Sequence, residues 1–174
     1  SNSLSTDDYI DCRVMNLIIE TFYNDTMFEE VFGMLRTINV SVMDCLIYIK
    51  NHSEIYSNKV KEIIKSYIFS STEDLYDTFG EANDYVLTPD IIDKYIGGNM
   101  GINELLVHRA LLLNEFDDLC DIMFKSIAGT LEKKDLLSNA IKDYLYDLKR
   151  FISIHKKDSF KVTKNKISTS FKHD

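Results

Sequence analysis

The stretch 102–127, INELLVHRALLLNEFDDLCDIMFKSI, carries apolar residues at helical spacing along its whole length. A stripe that recurs every three or four positions indicates an amphipathic α-helix. One helix of this extent would be roughly 40 Å long at about 1.5 Å per residue. The polar residues of 114–117 could instead cap a second helix and bend the chain there. Both alternatives, one helix or two, stay open. The stripe consists of Leu105, Leu106, Leu113, Phe116, Leu119, Cys120, Met123 and Ile127.

Helix-start and helix-stop signals recur along the rest of the chain. Four patterns in which an acidic residue follows a serine or threonine by three positions resemble capping boxes, and they begin at Ser5, Thr26, Ser41 and Ser71. The polar residues 51–53 predict a break between two helices. Glycine commonly follows the last turn of a helix, so we expect Gly129-Thr130 to close the long apolar element.

These signals favour an all-α protein. The 174 residues include only one proline and six glycines. A β-sandwich or a β-barrel needs more of these turn-forming residues. No segment shows convincing alternation of apolar and polar residues. We therefore predict an all-α, single-domain bundle of seven or eight helices over residues 1–155, with 156–174 as a polar, basic and flexible tail.

Charge and cysteine content exclude several classes of function. Twenty-eight acidic residues against twenty basic ones give a net charge of −8, which repels phosphate backbones and argues against nucleic acid as a partner. The three cysteines are far apart, so they predict neither a disulfide framework nor a zinc site. No apolar run approaches the roughly 20 residues that cross a bilayer, so we expect no integral membrane segment in this chain.

Two local motifs could carry chemistry. The glycines of 97–101 suggest a phosphate loop, but a predicted helix precedes them and no Lys-Ser/Thr pair follows, so a tight turn between helices is the favoured interpretation. Glu104 and His108 share one helical face, yet no second Glu/His pair accompanies them. An exposed or helix-flanking histidine is therefore preferred over a metal ligand. No catalytic signature is present, and we predict a protein that is not an enzyme, with no cofactor and no metal.

The junction before the long apolar stretch resembles a known motif. A glycine followed by Asn-x-Gly, opening an apolar helix, is similar to the first homology motif of Bcl-type apoptosis regulators, Gly-x-Asn-Trp-Gly-Arg. Asn99 and Gly101 match, whereas Met100 stands in place of the tryptophan and Ile102 in place of the arginine. Together with the length, the acidic charge and the residue usage of an AT-rich genome, the chain resembles the divergent Bcl-like virulence factors of poxviruses.

The resemblance implies a Bcl-like fold with a central apolar helix or helical hairpin. It implies a viral protein of the host cytoplasm that binds host proteins to inhibit apoptosis or innate immune signalling through NF-κB or interferon. The partner would be an amphipathic helix or a signalling adaptor. The mitochondrial surface is the alternative location for a chain with a C-terminal anchor, and a homodimer is left open. Identity of the partner, and the choice between the two pathways, are not predicted.

An apolar groove would receive the partner helix. Asn99 would cap the central helix, and Gly101 would let the partner backbone approach closely. Arg109 would replace the missing cation of the motif, with a surface salt bridge as its other role. The predicted partner-binding residues are Leu75, Phe79, Tyr95, Asn99, Met100, Gly101, Ile102, Leu105, Leu106 and Arg109.

Two further hypotheses belong to other classes. The first is a helical bundle that binds a small molecule or a metal ion, the latter at Glu104 and His108. The second is a helical adaptor from an AT-rich microbe or parasite, unrelated to the Bcl family.

Overall fold

The computed structural model describes residues 5–24, 26–73, 89 and 103–157. Every regular element within these ranges is a helix, so the predicted all-α bundle is confirmed. A 3₁₀ turn, Ser53–Ile55, links the third and fourth helices. The helices are α1 (Thr6–Phe22), α2 (Glu29–Thr37), α3 (Val42–Asn51), α4 (Asn58–Glu73), α5 (Glu104–Leu113), α6 (Phe116–Lys133) and α7 (Asn139–Lys157).

The apolar stretch that begins near Glu104 forms two helices, and the second one lies at the centre of the bundle. The chain turns at Asn114 and Glu115, between α5 and α6. Helix α6 packs against α3 and α7, and it also contacts α5 and the 3₁₀ turn. Its buried residues are Phe116, Leu119, Cys120, Ile122, Met123, Phe124, Ser126, Ile127, Thr130 and Leu131.

Gly129 and Thr130 do not end this helix, contrary to the prediction. Helix α6 continues to Lys133, and Leu131 is fully buried within its last turn. The glycine has a different role, because a side chain there would collide with the ring of Tyr48 from α3. Gly129 therefore allows α3 and α6 to approach each other closely, and the buried contacts beyond it outweigh its weak helix propensity.

Two of the four predicted caps are confirmed, whereas Ser71 lies inside α4 and does not begin a new helix. The side chain of Ser5 accepts a hydrogen bond from the backbone N–H of Asp8 at 3.1 Å. Ser41 accepts one from the N–H of Met43 at 3.2 Å. These bonds satisfy backbone donors that a helix start leaves without an intrahelical partner.

The third predicted cap is wrong. Thr26 has a φ of 53°, in the left-handed region, and Phe28 occupies the N-cap position of α2 without a side-chain cap. Met27 and Phe28 are buried, so core packing of these two side chains decides how the chain enters α2. The cap of α5 is Asn103, whose side chain accepts from the N–H of Leu106 at 3.3 Å. Asn99, for which a capping role was predicted, lies outside the described ranges.

The tail was predicted to begin at residue 156, and this boundary also differs from the structure. Helix α7 includes Lys156 and Lys157, whereas residues 158–174 lie outside the described ranges. The ammonium of Lys156 donates to the carbonyl of Thr26 and to the carboxylate of Glu30, each at 2.8 Å. These contacts attach the end of α7 to the start of α2.

Within the described ranges, no helix taken singly has the length and apolar composition to cross a bilayer. The α2–α3 pair, which bends by 117°, meets that test only when both helices are counted together.

Candidate interaction surface on α4 and α5

Helix α5 is apolar around most of its circumference, yet the bundle covers only one side of it. Its buried residues are His108 and Leu112. By contrast, 51% of Leu106, 43% of Leu111 and 41% of Val107 are exposed. A helix that is apolar all round is normally buried on all sides. Helix α5 departs from that pattern.

The exposed residues of α5 share one face. Counted from position 106, the exposed positions 107, 110 and 111 follow at spacings of one, four and five residues. These spacings place all four positions on one side of a helix with 3.6 residues per turn. Ala110 is also exposed. The buried positions, 108 and 112, lie on the opposite side. The outer face of α5 is therefore a continuous apolar strip rather than a set of scattered residues.

Helix α4 extends this strip. Lys59 at the start of α4 pairs with Glu115 just after α5 at 2.5 Å, and Ser66 hydrogen-bonds His108 at 3.1 Å. These two contacts show that α4 and α5 run antiparallel, so Phe69 lies level with the first turn of α5. Phe69 is 62% exposed. We call the set of Phe69, Leu106, Val107, Ala110 and Leu111 the α4–α5 surface.

His108 holds the two helices together beneath this surface. Its Nδ1 lies 2.8 Å from the carbonyl oxygen of Glu104, which can only accept a hydrogen bond, so Nδ1 carries the proton. Its Nε2, 3.1 Å from the hydroxyl of Ser66, is then the acceptor in the neutral ring. The ring also contacts Tyr67, with 5.3 Å between centroids. His108 is 3% exposed, so the expectation of an exposed or helix-flanking histidine is wrong.

This geometry gives little support to a metal ion at Glu104 and His108. Both ring nitrogens of His108 already have protein partners, and a Glu104 carboxylate oxygen lies 3.4 Å from Nδ1. A zinc site needs three or four such ligands. Across the described residues, no group of three or more His, Cys, Asp or Glu side chains is arranged to hold a metal ion.

Arg109 fixes α5 to α1. Its Nε donates to the backbone carbonyl of Glu20 at 3.1 Å, near the C-terminal end of α1. Carbonyls at a helix end lack intrahelical partners, and a cation is favoured there by the helix dipole. This contact positions α5 within the bundle, so Arg109 has a structural role in addition to the partner-binding role predicted for it.

The described ranges contain three of the predicted partner-binding residues. Leu106 belongs to the α4–α5 surface, Leu105 is half-buried against the core, and Arg109 contacts α1. Phe69, Val107 and Leu111 were missed. The apolar character of every side of α5 was the available signal. The other predicted residues lie outside the described ranges, namely Leu75, Phe79, Tyr95, Asn99, Met100, Gly101 and Ile102.

An acidic depression of about 380 Å³ lies at the turn between α5 and α6. Each of its carboxylates already has a partner. Glu115 pairs with Lys59, Asp118 accepts from Ser57, and Asp117 pairs with Lys157, each at 2.5 Å. These contacts connect α6 to its neighbours, and they leave the α4–α5 surface as the stronger candidate.

The fold and this surface define a class: a helical protein with an apolar helix face turned to solvent. No family model matches the chain, and no solved structure matches it. A curated yeast protein, "Maintenance of telomere capping protein 6" of Lodderomyces elongisporus, is 27% identical over 142 residues, which is 77% of this chain and 22% of that protein. The chain thus spans about a fifth of that relative, and an identity this low does not assign it to a family.

Proposed function

We propose that this protein is a non-enzymatic, Bcl-like viral interaction protein that binds an amphipathic helix of a host protein on the α4–α5 surface. The observation that carries the proposal is the exposed apolar face of α5, continued by Phe69 on α4. Binding would inhibit apoptosis or innate immune signalling in the host cytoplasm. This pathway assignment rests on the resemblance of the 99–101 junction to the Bcl motif.

The chemistry of the surface suits a helix with an apolar stripe. None of its five side chains is charged, so an apolar helix face that covered this surface would not bury an unpaired charge. Two antiparallel helices side by side form a shallow groove, which an amphipathic helix fills with apolar residues spaced three or four apart. Aromatic residues dominate the binding energy at such sites, so Phe69 should be the principal anchor.

Binding would cover the side chains of this surface further. Fully burying a large apolar side chain is worth about 1.5–3 kcal/mol, and the four largest side chains of this surface are already covered to about half. Their further burial therefore contributes roughly 1 kcal/mol each. A total of about 4 kcal/mol corresponds to a dissociation constant of only about 1 mM, so the apolar side chains of the partner helix must supply the remaining binding energy and offset the cost of association.

A matched pair of variants tests this proposal. Leu111→Glu places a charge in the α4–α5 surface, and Ile47→Glu places one on α3 at almost equal exposure, 43% against 42%. Labelled amphipathic helices from host death-pathway and immune-signalling proteins serve as ligands, and fluorescence anisotropy measures their dissociation constants. We expect Leu111→Glu to weaken binding about 10-fold or more and Ile47→Glu to leave it within about 2-fold.

Two results would count against the proposal in different ways. Equal binding by both variants would remove the α4–α5 surface as the site. Failure of the unmodified protein to bind any host helix would remove the viral Bcl-like function. It would favour the helical adaptor hypothesis, in which the same surface receives a partner from another pathway. Thermal unfolding of each variant, followed by circular dichroism, controls for loss of fold.

A further inference from the structure

The C-terminal ends of α3 and α6 meet at a cluster of polar side chains. The ring of His52 stacks on Tyr48, with 3.9 Å between centroids. Its Nδ1 lies 2.6 Å from the Glu54 carboxylate, and its Nε2 lies 2.9 Å from the ammonium of Lys133. We call Tyr48, His52, Glu54 and Lys133 the His52 cluster. It joins α3, the 3₁₀ turn and α6.

The chemistry of the two neighbours fixes the proton on His52. An ammonium group has only donors, so Lys133 must donate to Nε2, which must present a lone pair. A carboxylate accepts, so Nδ1 carries the hydrogen that bonds Glu54. Nδ1 protonated and Nε2 bare is the neutral imidazole. The observed contact between His52 and Lys133 therefore exists only while His52 is uncharged.

The ammonium group of Lys133 makes a second contact from the same position. Its ammonium lies 4.6 Å from the centroid of the Tyr48 ring, within the range of a cation–π interaction. The Tyr48 ring in turn occupies the space beside Gly129 where a side chain would stand. Lys133 is also one of the residues that line a groove of about 360 Å³ between α3 and α6, together with Ile47, Asn51 and Thr130 among others.

Protonation of His52 would break its contact with Lys133. A hydrogen on Nε2 removes the acceptor and brings two cations to 2.9 Å from each other. Glu54 retains its bond from Nδ1, and its pKa is lowered by a backbone hydrogen bond and by the bond from His52, so it stays ionised. The remaining charged groups of the groove, Asp44 and Lys134, pair with each other at 2.9 Å.

We propose that the His52 cluster is a pH-operated contact, in which protonation of His52 releases Lys133 from His52 and Tyr48. Histidine is the side chain that ordinarily changes charge between pH 5 and 8. This inference does not depend on the α4–α5 surface, which lies on other helices.

Nuclear magnetic resonance tests the inference directly. Because the Tyr48 ring shields groups above it, the ε-methylene protons of Lys133 should resonate upfield at pH 8. As the pH falls to 5, we expect them to move to the positions of a free lysine, with the same midpoint as the His52 ring protons. A Lys133 signal that stays fixed while His52 titrates would overturn the proposal.

Three variants test whether His52 causes the pH-dependent change in the Lys133 signal. His52→Gln should abolish the pH dependence of the Lys133 signal, whereas His155→Gln, at the end of α7, should leave it intact. Gly129→Ala should displace the Tyr48 ring and remove the upfield shift at both pH values. If His52→Gln retains the transition, another group is responsible and the inference fails. Because all three sites lie at the surface or beside a groove, circular dichroism suffices to confirm that each variant folds.

Discussion

Helices α5 and α6 follow each other in the chain, and they use their apolar residues in opposite ways. Helix α5, ELLVHRALLL, has only one acidic and one permanently basic residue, yet it buries only two of its ten positions. Helix α6 has acidic residues in its first turn and a lysine in its last, and it buries ten of its eighteen. Composition therefore does not determine which helix is central.

The difference comes from the number of neighbours. Helix α6 contacts α3, α5, α7 and the 3₁₀ turn, which surround it on several sides. Among the helices that the structure describes, α5 contacts α4, α1 and α6, and these leave its outer face open. Apolar side chains that the bundle does not cover cost free energy in water. Their presence on α5 is the physical argument for a partner on the α4–α5 surface.

Thiol labelling should give the largest contrast between the two helices. In a Cys12→Ser background, Val107→Cys places a thiol on the exposed face of α5, whereas native Cys120 is 1% exposed in α6. We expect Cys120 to react with a thiol reagent at least about 10³-fold more slowly, because labelling requires opening of the core. The second buried thiol, Cys45, should behave like Cys120.

Raising the pH above the ordinary cysteine pKa of about 8.5 should narrow this contrast. The thiolate is the reactive form, and an accessible cysteine gains little more of it above that pH. Burial raises the pKa of Cys120 to about 12 and that of Cys45 to about 11, so both stay protonated in the folded protein at pH 9 but ionise once the core opens. The opened state is therefore favoured as the pH rises, and the buried thiols react faster. In denaturant all three thiols should react alike. Rapid native labelling of Cys120 would show that α6 is not the centre of the bundle.

Alanine substitutions should give the next largest contrast. Leu119 in α6 is fully buried, and Leu119→Ala should lower the free energy of unfolding by about 2–5 kcal/mol because it leaves a cavity. Leu106→Ala on the exposed face of α5 should change it by only about 0.5 kcal/mol. Urea unfolding measures both. Similar losses in the two variants would mean that the outer face of α5 is covered within the monomer.

The smallest effect concerns the attachment of α5 to α4. His108→Leu removes the hydrogen bonds to Ser66 and to the Glu104 carbonyl, so unfolding should become easier by about 1–3 kcal/mol. His155→Leu, an exposed histidine on α7, serves as the control and should stay within about 0.5 kcal/mol. If His108→Leu is neutral, the His108 contacts do not hold the two helices together.

The sequence by itself determined the helical class, the starts at Ser5 and Ser41, and the apolar stripe of α6. These properties depend on hydrogen bonds and periodicities within one turn or a few turns, and such local interactions can be identified from neighbouring residues. The same local rules proposed a start at Thr26 and a stop at Gly129. Both predictions were wrong because tertiary packing overrode the local signal. The packing around Phe28 decided how α2 begins, and the Tyr48 ring of α3 decided the role of Gly129.

Only the tertiary structure decided which of two apolar helices became central. It also decided the turn at Asn114 and the burial of His108, and it placed Phe69 of α4 level with the first turn of α5. Burial depends on how many other elements surround a residue, and those elements come from distant parts of the chain. The apolar residues around most of α5 indicated that this helix favours burial. The packing of α1, α4 and α6 determined which side was left exposed.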